Sequence, residues 1–255
     1  MNSQIDLALI LGLSIVVYSL ATYGNWYYRC HADEPALRRL RGKIPHSPVW
    51  SWTCHASRFA YYIGLPYLAL RQGIIPASTM GLGEWTAASD DVLATIGLAL
   101  AAFVILSVAQ RSYSRSLLPE QTKTSRAQSQ DRHWVTATLD VLYLEVHWAF
   151  YRSGPIFWLG GDYYTGSFLG FLLITLEELL NPRMRNALKR PQTSIAILVR
   201  WSTALCMTTA FYFSRSLWLV IGLHWLVEMG SLCVQRALSH KTSFQDDVLS
   251  PDETA

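Results

Sequence analysis

Leu139-Asp140-Val141-Leu142-Tyr143-Leu144-Glu145-Val146-His147-Trp148-Ala149-Phe150-Tyr151-Arg152-Ser153-Gly154-Pro155 is an apolar stretch that carries four ionisable side chains: Asp140, Glu145, His147 and Arg152. At membrane depth such groups cost about a few kcal/mol each unless they are paired, hydrated or metal-bound. Four in one helix therefore demand partners elsewhere in the chain.

The surroundings are those of a polytopic membrane protein. Of 255 residues, 51% are hydrophobic and only 15% charged, with ten Trp and thirteen Tyr, too apolar and aromatic for an ordinary soluble domain. The net charge is +3, and Lys and Arg fall between apolar segments rather than in one patch, so no nucleic-acid partner is expected. Cys30, Cys54, Cys206 and Cys233 have no C-x-x-C spacing, so neither a disulfide nor a zinc ribbon is expected. The first apolar run lacks a basic leader, and although Ser19-Leu20-Ala21 imitates a cleavage site, a retained helix is the reading adopted.

A spanning helix needs about 20 mostly apolar residues, and the sequence offers seven candidates: about 5–24, 53–72, 91–109, 134–157, 164–181, 194–213 and 216–235. The second is the weakest, with His55 and Arg58 in its first turns and Pro66 in its middle. The expected fold is all-α, a helical bundle of about seven transmembrane helices. Its parts are 1–133 (membrane helices and cytoplasmic loops), 134–235 (a polar-centred bundle) and 236–255 (a mobile cytoplasmic tail); 110–133 is expected to be a polar linker. Arg38, Arg39, Arg41 and Lys43, then Arg111 and Arg115, then Arg183, Arg185 and Lys189 mark three cytoplasmic segments, while those bearing Glu84, Asp162 and Arg215 lie outside. The N-terminus is then outside and the C-terminus cytoplasmic. The expected location is a bacterial plasma membrane.

Within the bundle, Glu145 and Arg152 share a helix face, and Asp140 and His147 share nearly the opposite one. As structural ties, these would be Glu145 with Arg152 and Asp140 with His147. His224-Trp-Leu-Val-Glu228 sets an imidazole and a carboxylate at i and i+4, suited to a shared metal or to a pair in which the carboxylate fixes the tautomer. Glu177 and Glu178 stand near a helix C-terminus, where the macrodipole disfavours them. Either Arg183, Arg185 or Arg200 compensates them, or one faces inward toward Glu145 and His224. Arg200 is expected to snorkel, and Trp134, Trp158, Trp201 and Trp218 to anchor helix ends at the interface.

This succession resembles the CAAX-protease and bacteriocin-processing (CPBP) family of intramembrane proteases over residues 134–232. That family's motifs are Glu-Glu-x-x-x-Arg, Phe-x-x-x-His and His-x-x-x-Asn or a similar polar residue. Here Arg152-Ser153-Gly154 fits the end of the first, His147 and Trp148 stand where the two glutamates belong, and Glu145 is the nearest acid. Phe171-x-x-x-Thr175 takes the second motif's place without its histidine, and His224-x-x-x-Glu228 fits the third. The resemblance implies an intramembrane peptidase in which a Glu and His pair activates water, with or without a metal.

The expected catalytic residues are Glu145, His147, Arg152 and His224, with Glu145 or His147 as general base and Arg152 as electrostatic stabiliser. Glu178, His224 and Glu228 are candidate ligands for a divalent metal ion such as zinc. The expected partners are the lipid bilayer and a membrane-associated peptide or protein substrate. Two other readings compete: an inactive CPBP-like scaffold or assembly factor, favoured by the absent second-motif histidine, and a proton- or ion-coupled carrier using the carboxylates as relays.

Overall fold

The computed structural model describes residues 3–31, 48–83, 89–116 and 134–249, all helices and their connections. In chain order these are α1 (Ser3–Cys30), α2 (Pro48–Phe59), a π-helical turn (Ala60–Gly64), α3 (Leu65–Arg71), α4 (Ser89–Ser116), α5 (Trp134–Trp158), α6 (Tyr163–Leu180), α7 (Pro182–Leu188), α8 (Pro191–Ser214) and α9 (Leu217–Leu249). Residues 117–133 of the expected linker and 250–255 of the tail lie outside the described residues. α9 runs to Leu249, past the boundary at 235 drawn from the polar composition of the tail.

Among the described residues, three helical stretches are long and apolar enough to cross a membrane: Gln4–Cys30, Asp91–Ala109 and Thr193–Ser214, with Leu217–Cys233 a shorter apolar one. This is fewer than the seven expected. The physical reason is visible in α5, whose Asp140, Glu145 and Arg152 lower its hydropathy, and in α6, whose 18 residues include Glu177 and Glu178. The apolar stretches show an outward greasy face. On α1, Leu7, Leu11 and Ser14 are buried while Ile5, Leu9, Leu13, Val16 and Leu20 are exposed, two stripes at helical spacing.

α5 is the centre of the fold. Every residue from His147 to Ile156 is buried, so no face of that stretch meets the surroundings, the condition of a fully enclosed helix. Its closest neighbour is α6, and glycine sets the distance. A Cβ on Gly166 would stand 2.6 Å from Ile156 Cα, and one on Gly170 2.5 Å from Arg152 Cα. Gly166-Ser-Phe-Leu-Gly170 is thus a small-x-x-x-small stripe that lets two backbones touch. α6 begins at Asp162, whose carboxylate accepts the Thr165 backbone N–H at 3.1 Å, and ends at Asn181, which in turn caps α7 by accepting the Arg183 N–H at 3.0 Å.

The connections gather at two ends. At one, Tyr163 Oη donates to the Ser78 carbonyl (3.2 Å), Arg215 covers the Tyr163 ring, and the Leu217 N–H donates to the Gly81 carbonyl (2.9 Å). At the other, Asn181 donates to Tyr18 Oη (3.3 Å) and Arg183 to the Asn25 carbonyl (3.1 Å).

Candidate functional site

Glu145 projects from α5 toward α9 and is completely buried. Its Oε1 accepts from His224 Nδ1 at 2.8 Å, and its Oε2 accepts from Arg152 Nη2 at 3.2 Å. The Glu145–Arg152 tie is the one their spacing suggests, since seven residues bring two side chains onto one face. Arg152 is also wholly buried, and its guanidinium lies 4.6 Å over the Phe211 ring of α8. The Trp148 indole stacks on the His224 ring at 5.5 Å, nearly parallel. Four helices, α5, α6, α8 and α9, therefore close round one carboxylate, one imidazole and one guanidinium.

The opposite side of α5 carries a second imidazole–carboxylate pair. His147 Nε2 bonds both Glu177 oxygens, at 3.1 and 3.2 Å, with both side chains buried. Tyr61 Oη donates to Glu177 Oε1 at 2.5 Å. Tyr61 and Tyr151 both meet the Ser14 hydroxyl at 3.1 Å. The π-helical turn delivers Tyr61 and Tyr62, whose rings sit 4.9 and 5.0 Å from that of His147. Insertions of this kind place side chains that a regular α-helix would rotate away.

The other charged residues take surface or boundary partners. Asp140 accepts from Arg58 at 2.7 Å, and His147 turns to Glu177 rather than along its own helix. Glu178 pairs with Arg200 at 2.7 Å and accepts the Trp201 indole N–H at 2.5 Å. Arg200 is thus the compensating cation among the three considered, and Trp201 serves a carboxylate instead of only anchoring a helix end. Both members of the acidic pair are buried, and it is Glu177 that joins His147, not His224.

Sequence reasoning favoured Glu178 over Glu177 and did not single out Tyr61 or Ser14. Neighbouring glutamates point about 100° apart on a helix, and which one meets His147 depends on how α6 is rotated against α5, which the sequence does not give. Tyr61 had no signal beyond the Pro66 that marks its helix as irregular.

As a metal centre the expected donors fit poorly. Among the described residues no group of three or more His, Cys, Asp and Glu side chains is gathered as a metal site. Of the three expected ligands, Glu178 is engaged by Arg200 and Trp201, and His224 by Glu145; Glu228 is half-buried one turn beyond His224. What the Glu145 site offers on its own is a buried imidazole with one nitrogen fixed on a carboxylate, which sets its tautomer and leaves the other nitrogen as an acceptor.

Away from this interior, Asp162 lies at the α6 N-terminus, where hydrogen bonds from Thr165 hold its carboxyl below the ordinary value.

No family model matches the chain, and no curated protein or solved structure matches it either.

Proposed function

We propose that this chain is an integral membrane hydrolase of the CPBP-like kind, acting on amide bonds within or beside the bilayer. The observation that carries the proposal is the Glu145 carboxylate bridging His224 and Arg152 at zero exposure. In this reading His224 is the general base. Glu145 uses both oxygens on its partners and so orients the imidazole, while Nε2 of His224 takes a proton from water as the water oxygen attacks the amide carbon. The same proton then passes to the leaving nitrogen as the C–N bond breaks, giving a carboxylic acid and an amine.

The membrane reading takes in all the long helical segments. We read α5 and α6 as spans because Glu145, His147, Arg152 and Glu177 are paired inside the protein, where lipid does not meet them. The loop charges assign the end holding Asp162 and Arg215 to the outside and that holding Arg183 to the cytoplasm. The two described clusters of loops divide in the same way. Labelling Cys30 with an impermeant maleimide should succeed only from the cytoplasmic side, and a cysteine placed at Gly160 only from outside; labelling of both from one side defeats the topology.

The test of function is cleavage of quenched fluorescent apolar peptides by protein in proteoliposomes. Cleavage lost in His224→Gln and Glu145→Gln, with both variants folded, is the expected result. A second reading, a non-enzymatic scaffold, is favoured by the saturation of both Glu145 oxygens, which suits a structural tie. Peptide cleavage that is absent, or unchanged in both variants, leaves the scaffold in place of the enzyme.

A further inference from the structure

Arg152 has more hydrogen-bond donors than the protein uses. Among the described residues only Nη2 is engaged, by Glu145 at 3.2 Å. Nε and Nη1 are buried and have no partner among those residues. The Arg152 guanidinium carbon stands 4.6 Å from the centre of the Phe211 ring, which offers the N–H groups no lone-pair acceptor. Two hydroxyls nearby in the fold share this condition. Ser167 stands one turn before Gly170, which abuts Arg152, and Thr208 stands one turn before Phe211; both side-chain oxygens are buried without partners among the described residues. Unmet donors are uncommon in protein interiors, and each calls for water or a ligand.

We infer that the free N–H groups of Arg152 receive uncharged carbonyl oxygens, those of an amide or peptide backbone, in preference to a free carboxylate. This deepens the hydrolase reading and rests on it for the identity of the ligand as substrate. Charge decides between the two ligand classes. Glu145 already balances Arg152 inside a closed interior, so an entering carboxylate would bring a negative charge out of water with no further arginine among the described residues to meet it there. A carbonyl oxygen brings acceptor lone pairs without charge. Nε and Nη1 lie on different edges of the guanidinium, on either side of the engaged Nη2. They therefore take separate oxygens, as successive backbone carbonyls or a carbonyl and a water provide. Ser167 and Thr208 supply further hydroxyls in the same interior.

The experiment uses the full chain in detergent, with acetyl-leucine N-methylamide as the neutral probe and acetyl-leucine at pH 7 as the anionic one. Binding is read from the thermal midpoint and from Trp fluorescence, since Trp148 stacks on His224. The amide is expected to stabilise the protein and to bind at least about tenfold more tightly than the acid. Arg152→Lys, which keeps the charge and removes the forked donors, is expected to weaken amide binding by about tenfold or more. Should that variant fail to fold, Gly170→Ala supplies the comparison, because its Cβ presses on Arg152 while every donor remains. Equal or tighter binding of the acid, no binding of the amide, or amide binding indifferent to both substitutions overturns the inference. Binding is read without turnover. A protein that binds the amide through Arg152 but cleaves no peptide keeps this inference and loses the hydrolase reading.

Discussion

Glu145 and His147, two residues apart on α5, each belong to an imidazole–carboxylate pair, with the partners exchanged. Glu145 holds the imidazole of His224 on α9, and His147 is held by the carboxylate of Glu177 on α6. Successive positions i and i+2 point nearly opposite ways on a helix, so α5 pins one neighbour on each side with the same chemistry.

Removing the acid of the first pair should be costly. Glu145→Leu leaves the Arg152 charge buried without its counter-ion and should destabilise the protein by about 3–5 kcal/mol. Glu145→Gln keeps the shape and an acceptor and should cost much less, while abolishing any cleavage. Detergent thermal melts and peptide cleavage on both variants check this, and equal losses of stability would remove the ion pair as the cause.

The second pair should behave as a coupled unit. His147→Phe and Glu177→Leu each strand a partner in the interior, so the double variant should be less damaged than the sum of the singles, with a coupling of about 0.5–3 kcal/mol. The surface pair Arg58–Asp140, whose side chains are 48% and 27% exposed, should show a coupling of about 1 kcal/mol or less. Double-mutant cycles on both pairs provide the comparison.

Glycines should divide by what faces them. Gly166→Ala and Gly170→Ala put a Cβ into the α5 backbone and should cost about 1–3 kcal/mol. At Gly97 on α4 an added Cβ would meet nothing within 4 Å, and Gly97→Ala should be neutral or stabilising by about 0.4–1 kcal/mol. Equal effects at Gly97 and Gly170 in thermal melts would show that close helix packing is not the determinant.

Asp162 sets a pH dependence. Its folded carboxyl is held below the ordinary value by hydrogen bonds from Thr165, so its stabilising contribution is complete above the unfolded value of about 3.9 and is lost as pH falls through the lowered folded value. Asp162→Ala should lower the melting temperature at pH 7 and flatten its fall in the acid range. An unchanged acid profile would assign that fall to other carboxylates.

The helices were legible because apolar runs of sufficient length have few alternatives: expected spans at 134–157 and 164–181 meet α5 at Trp134–Trp158 and α6 at Tyr163–Leu180. So was the Glu145–Arg152 tie, which is local to one helix. The partners across helices were legible only in part. Glu145 and His224 stand together among the expected catalytic residues, whereas the choice of Glu177 over Glu178 depends on helix rotation, which no hydropathy pattern encodes. The expected seven spans exceed the three that meet a span's length and hydropathy among the described residues, because segments such as α5 and α6 are long enough but carry Asp140, Glu145, Arg152, Glu177 and Glu178.

The Gly81 carbonyl receives the Leu217 N–H, and Gly81 itself, at φ +74, has Leu217 N, Arg215 O and the Phe211 ring so close that no side chain fits. These groups are separated by most of the chain. During synthesis the loop after α3 is made early, but the backbone it clasps exists only once the last helix has begun to emerge. A chain interrupted before Leu217 would hold that end of the bundle through Tyr163 and Ser78, so the final segment adds the backbone clasp, and Gly81 is the position at which a single added carbon would keep it open.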